Sequence, residues 1–160
     1  MQTFLPFKSF QQSAKALDNK RLNKQILEGY QILKVLHNPD PRAAWRNHPA
    51  VKMWEGFEDA LYDYIANMVV EARNRGIKTD KNEANLIELH NKYAMHWESG
   101  MPKWYNDSRA DRITESHRAN LYRKDPEFYM DFMNDKANPC CDTCQYYWVT
   151  HEERNVTKQR

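Results

Sequence analysis

Apolar residues recur along this chain at helical spacing, and the spacing predicts its elements. Between residues 18 and 37, Leu22, Ile26, Tyr30, Leu33 and Leu36 step by four, four, three and three, one stripe on a helix. The run Asn38-Pro39-Asp40-Pro41 stops it, because proline lacks an amide hydrogen and restricts the residue before it. A second helix is predicted from near Pro49, with Val51, Trp54, Phe57, Leu61, Ile65, Met68 and Ala72 on one face. It ends in Arg73, Arg75 and Gly76, where basic side chains suit the negative helix end and glycine suits a left-handed cap. Asp80 with Glu83 has the spacing of a capping box for a third helix, through Ile87, His90, Ala94 and Trp97 to Gly100. A fourth runs from near Ser108 through Ile113, His117 and Leu121, after which Asp125-Pro126 reads as the cap and first position of a short helix to about Met133. No alternating run of strand length occurs. Residues 3–6 read as an extended arm anchored by Phe4 and Leu5 and stiffened by Pro6. The expected fold is therefore all-α, a single compact domain of four to five helices with an extended N-terminal arm.

Composition narrows the class. A chain of 160 residues with 41% apolar and 29% charged residues has room for one ordinary core and is too apolar for general disorder. Only four glycines against 12% aromatic residues suits helices better than a turn-rich β fold. No stretch approaches a membrane span and the first residues lack a secretory signal pattern, so a cytoplasmic protein without a membrane partner is expected.

Charge changes the picture more. Residues 1–52 hold nine lysines and arginines against three acids, whereas residues 53–102 hold five against nine. That asymmetry points to a polyanionic partner for the N-terminal third, with a merely solvated helix face as the plain alternative. On the first long helix Glu28 follows Lys24 by four residues and Arg21 by seven, all on one face. A carboxylate among cations stays ionised and can act as a base beside a bound phosphate backbone, although the spacing alone equally fits a helix salt bridge.

The segment 116–124 carries His117, Arg118, Arg123 and Lys124, a candidate phosphate-binding run with Tyr122 or Tyr129 near a base, or a solvated basic helix. Arg46, Asn47 and His48 precede the second helix, whose N-terminal amides favour an anion, though His48 also suits a cap. Cys140, Cys141, Cys144 and His151 have the donor types of a zinc site, but adjacent cysteines make poor joint ligands and no second C-x-x-C exists. The expectation is reduced thiols and no metal.

Four segments together resemble the pyrimidine dimer DNA glycosylases, the phage-type endonuclease V family, in its bacterial and phage branch. They are T-F-L-P at 3–6, L-D-N-K-R-L-N-K-Q-I-L-E at 17–28, W-R-N-H-P-A-V-K-M-W at 45–54 and S-H-R-A-N-L-Y-R-K-D-P-E-F-Y at 116–129. The resemblance covers most of residues 1–136, taken as a glycosylase-like helical domain. Residues 137–160 read as a tail, its Tyr146-Tyr147-Trp148 packing on the same domain and similar to that branch's aromatic ending, its cysteine cluster outside the pattern.

The resemblance implies a DNA repair glycosylase with abasic-site lyase activity, acting without a cofactor as a monomer on double-stranded DNA containing a damaged base, in a bacterial or phage-infected cell. It implies that the nucleophile is the N-terminal α-amine, which attacks the sugar and forms an imine as a cyclobutane pyrimidine dimer is excised. That amine belongs to Met1, or to Gln2 if the initiator is removed, which the bulk of Gln2 disfavours. An α-amine titrates near ~8, well below lysine, and so offers a neutral fraction near pH 7. The catalytic carboxylate of the family falls on Glu28. An arginine commonly beside it is Leu27 here, which leaves Arg21, Lys24 and Arg46 for phosphate contacts. Two other functions fit the same residues: a glycosylase for another damaged or hypermodified base, and a DNA-binding module without catalysis. A zinc-stabilised interaction protein would rest on the cysteines alone.

Overall fold

The long amphipathic segment folds as α2 (Asn19–Leu36), and its stripe meets α4 (Glu58–Asn74) along the middle of the molecule in the computed structural model, which describes residues 1–135 and 143–150. Leu22, Ile26, Ile32 and Leu33 of α2 are buried against Leu61, Ile65 and Met68 of α4. Each such side chain removed from water contributes about 1.5–3 kcal/mol. The two backbones approach closely at Gly29, where a Cβ would lie 2.5 Å from Ile65 Cγ1. Glycine is required there by space.

Around this pair stand α1 (Phe10–Ala16), α3 (Pro49–Lys52), α5 (Asp80–Tyr93), α6 (Arg109–Lys124) and α7 (Met130–Asn134). No strand occurs among the described residues, and none of their helices is long and apolar enough to cross a membrane. The all-α expectation holds, with seven α-helices among the described residues in place of four to five, because one predicted element divides and one was not foreseen.

The predicted helix from Pro49 to Gly76 divides at Gly56, whose φ of 84° breaks the ladder, so α3 is one short turn and α4 starts afresh. Its far end follows expectation: Gly76 has φ 77° and the Ile77 amide donates to Ala72 O, closing the helix in a left-handed cap. Arg75 does more than complement its own helix. Its guanidinium donates to the carbonyls of Ala14, Lys15 and Leu17, the end of α1, a helix that sequence periodicity did not reveal. The cap of α5 falls one residue before the expected Asp80: Thr79 Oγ1 donates to Glu83 Oε2 at 2.7 Å while the Glu83 amide donates to Thr79 O. That helix also stops earlier than expected, at Tyr93, followed by a 3-10 turn, Ala94–His96. Residues 125–129 form a turn in which Asp125 accepts from the Phe128 amide, so the last helix begins only at Met130.

Candidate active site

The first seven residues of the chain make no secondary structure, yet residues 2–6 are buried. Buried backbone polar groups need partners, and here side chains from three helices supply them. The Phe4 amide donates to Gln25 Oε1 of α2 at 2.9 Å, and the Leu5 amide donates to His117 Nδ1 of α6 at 2.8 Å. Arg118 of α6 donates to Pro6 O at 2.8 Å, and Trp54 donates from Nε1 to Thr3 Oγ1 at 3.1 Å. The Tyr64 hydroxyl of α4 lies 2.7 Å from Phe4 O and 2.8 Å from Gln25 Oε1, its one proton shared between two acceptors. The arm is thus threaded between α2, α4 and α6 and held from Thr3 to Pro6.

That threading delivers Met1 to the side of α2 that carries Glu28. Met1, Glu28, Gln31, Lys34, Val35 and Trp45 line one open cleft of about 450 Å³. Glu28 is mostly buried and oriented: Gln25 Nε2 donates to its Oε2 at 3.0 Å, and Lys24 Nζ stands 3.8 Å from its Oε1. Gln25 therefore grips the arm with its oxygen and the carboxylate with its nitrogen. Its position carries no motif that distinguishes it from any polar helix residue, and sequence reasoning missed it. The terminal ammonium also reaches His48: partial burial, and then the charge of the N-terminus, hold that imidazole below its usual range.

Charges from α2 and α6 act on one tyrosine, Tyr146. Tyr146 packs on Phe4 and His117, and burial pushes its hydroxyl up to about 12, with Arg123 and Arg21 opposing and Glu28 assisting the shift. Arg21 of α2 and Arg123 of α6 thus lie within electrostatic reach of one tyrosine near Glu28. Arg21 also pairs with Asp18 at 3.2 Å. Lys24 and Lys124 are exposed and Asn47 is exposed in the loop before α3.

Other expected DNA contacts turn inward. His117 is buried as a neutral acceptor for the arm, its pKa pushed down to about 3 by burial, so it supplies no charge to a phosphate. Arg118 is buried on Pro6 O. Tyr129 is buried too, its hydroxyl donating to Asp18 Oδ1 and accepting from the Asp18 amide. Arg46 donates to the Val35 and Leu36 carbonyls at the end of α2 and pairs with Glu55 at 3.1 Å. His48 caps α3 itself, Nδ1 accepting from the Ala50 amide, so that short helix offers no open anion site. Gln2 is buried, with Oε1 accepting from the Thr3 amide. These side chains hold the arm, cap α3 and bind the ends of α2.

Among the described residues no three His, Cys, Asp or Glu side chains converge in a metal-like group. Cys140, Cys141 and His151 lie outside the described residues.

The model of the pyrimidine dimer DNA glycosylase family matches residues 1–85, from the arm into α5, and so takes in Met1, Gln25, Glu28 and Trp45. The chain belongs to that family. No curated protein and no solved structure matches it. In this family member the matched span contains the whole Met1–Glu28 cleft, while the α6 side chains that hold the arm in place lie beyond it.

Proposed function

We propose that the chain excises cyclobutane pyrimidine dimers from double-stranded DNA and cuts the strand at the resulting abasic site, using its N-terminal α-amine as nucleophile. The observation that carries this reading is the shared cleft of Met1 and Glu28.

In its neutral form the amine attacks C1′ of the damaged nucleotide, and the glycosidic bond breaks with its electron pair leaving on the base. Glu28 stabilises the positive charge that develops on the sugar. Opening of the ring at O4′ and loss of the amine proton give an imine between the terminal nitrogen and C1′. Glu28 then takes a proton from C2′, and the 3′ phosphate leaves by β-elimination. The hydrogen bonds on residues 3–6 anchor the arm that carries the amine before substrate arrives, which limits the entropy lost in positioning it. Arg21, Lys24 and Arg123 supply positive charge for the phosphate backbone on the same side. The residues require no metal ion for this chemistry.

Borohydride reduction during incubation with a dimer-containing duplex tests the reading. The expected result is a covalent protein–DNA adduct, absent with undamaged duplex and absent when the terminus is acetylated. Excision at full rate by the acetylated protein would exclude the terminal amine, and trapping on abasic DNA alone would restrict the chain to lyase chemistry.

A further inference from the structure

Trp45 stands at the lip of the cleft that contains Met1 and Glu28. It is 55% exposed and has φ 70°, the one non-glycine residue with positive φ among those described. A bulky side chain in that backbone region is a true outlier, which persists only where neighbours over-determine it. The neighbours here do so. Arg46 ties the next residue to the Val35 and Leu36 carbonyls and to Glu55, and the His48 amide donates to Trp45 O at 2.9 Å. Among the described residues the ring has a single aromatic neighbour, His48, tilted at 5.6 Å. A single exposed tryptophan needs no explanation by itself. A strained one, bolted from below and presented beside a nucleophile and a carboxylate, does.

We propose, resting on the glycosylase reading above, that Trp45 is the stacking platform for a nucleobase that has left the helical stack at the lesion. For an amine on a buried arm to reach C1′, the duplex must open at that step. An indole face accepts any base without reading its edges, and so suits an enzyme that recognises a distortion in place of a sequence. The displaced base is either the one facing the lesion or the one beside it. Stacking chemistry is the same for both.

The test uses the full-length protein and duplexes carrying a tetrahydrofuran abasic analogue, with 2-aminopurine opposite the gap in one arm and 5′ to it in the other. In the arm whose base meets the indole, complexes of Trp45→Ala and Trp45→Gly are expected to be brighter than those of wild type and Trp45→Phe. Affinity for the analogue duplex falls about tenfold in the same two variants, the size of one lost base–aromatic stack, while affinity for undamaged duplex stays within about twofold. Trp45→Gly fits the positive φ and is expected to melt no lower than wild type, so a lost effect cannot be laid to misfolding. Equal brightness of all proteins in both arms, or equal loss of affinity on damaged and undamaged duplex, overturns the proposal. The analogue has no aldehyde and forms no imine, so this result is independent of trapping. A wild type that traps on true abasic DNA but shows no dependence on Trp45 sinks the stacking role alone, and one that fails to trap sinks only the imine mechanism.

Discussion

Gln25 donates from Nε2 to Glu28 Oε2 at 3.0 Å while its Oε1 accepts the Phe4 amide at 2.9 Å, so one carboxamide ties the proposed base to the arm that bears the proposed nucleophile. Gln25→Leu removes both bonds at nearly constant size and strands the Phe4 amide. The expected cost is about 1–3 kcal/mol in urea denaturation. Excision kinetics should show kcat falling with KM little changed, because the carboxylate and the amine lose their common anchor. A variant with wild-type kcat would show that Gln25 only stabilises the fold.

Glu28→Gln keeps the shape and still accepts from Gln25, but removes the charge needed in the transition state and the base for C2′. Single-turnover excision should fall by about a hundredfold or more. Affinity for dimer-containing duplex should stay near that of wild type.

His117 makes stability depend on pH. Its folded pKa of about 3 lies far below the ordinary value of 6.5, so at intermediate pH the unfolded chain binds the extra proton. The stabilisation from keeping it neutral is full above about pH 6.5 and is lost as pH falls toward 3, at a slope of at most about 1.4 kcal/mol per unit. Thermal melts at pH 7 and 5 should differ accordingly. His117→Asn keeps an acceptor for the Leu5 amide and is expected to flatten that slope.

Gly29→Ala would drive a methyl group into Ile65 at 2.5 Å from Cγ1, with α4 behind it. Overpacking at this crossing should destabilise by about 1–3 kcal/mol in urea. Adding Ile65→Ala should recover part of that loss relative to the Ile65→Ala single variant.

The expected cations divide into two kinds. Lys24→Ala, at an exposed side chain, should lower the salt slope of DNA binding by about one and leave the melting temperature nearly unchanged. Arg118→Ala, at a buried one, should instead lower the melting temperature by freeing the Pro6 carbonyl.

The α2 stripe, the Gly76 stop and the placing of Glu28 in its motif were all legible in the chain, because helical period and caps are local properties of neighbouring residues. Gly56 also carried a readable signal, a break inside an otherwise continuous stripe, and so did His117, which shares its stripe with Ile113 and Leu121. The charge of the segment around His117 argued for solvent instead. Tertiary structure decided between them: a basic or polar side chain turns inward only where a distant segment offers a buried partner, and the arm offers the Leu5 amide to His117 and the Pro6 carbonyl to Arg118 across 112 positions in each case. The same holds for Gln25, whose partner Phe4 lies 21 positions away, and for Trp45, whose strained backbone is set by what Arg46 grips. Periodicity specifies which face of a helix is apolar, but the hydrogen bonds that tie the N-terminal arm to the helix bearing Glu28 exist only once the helices have met.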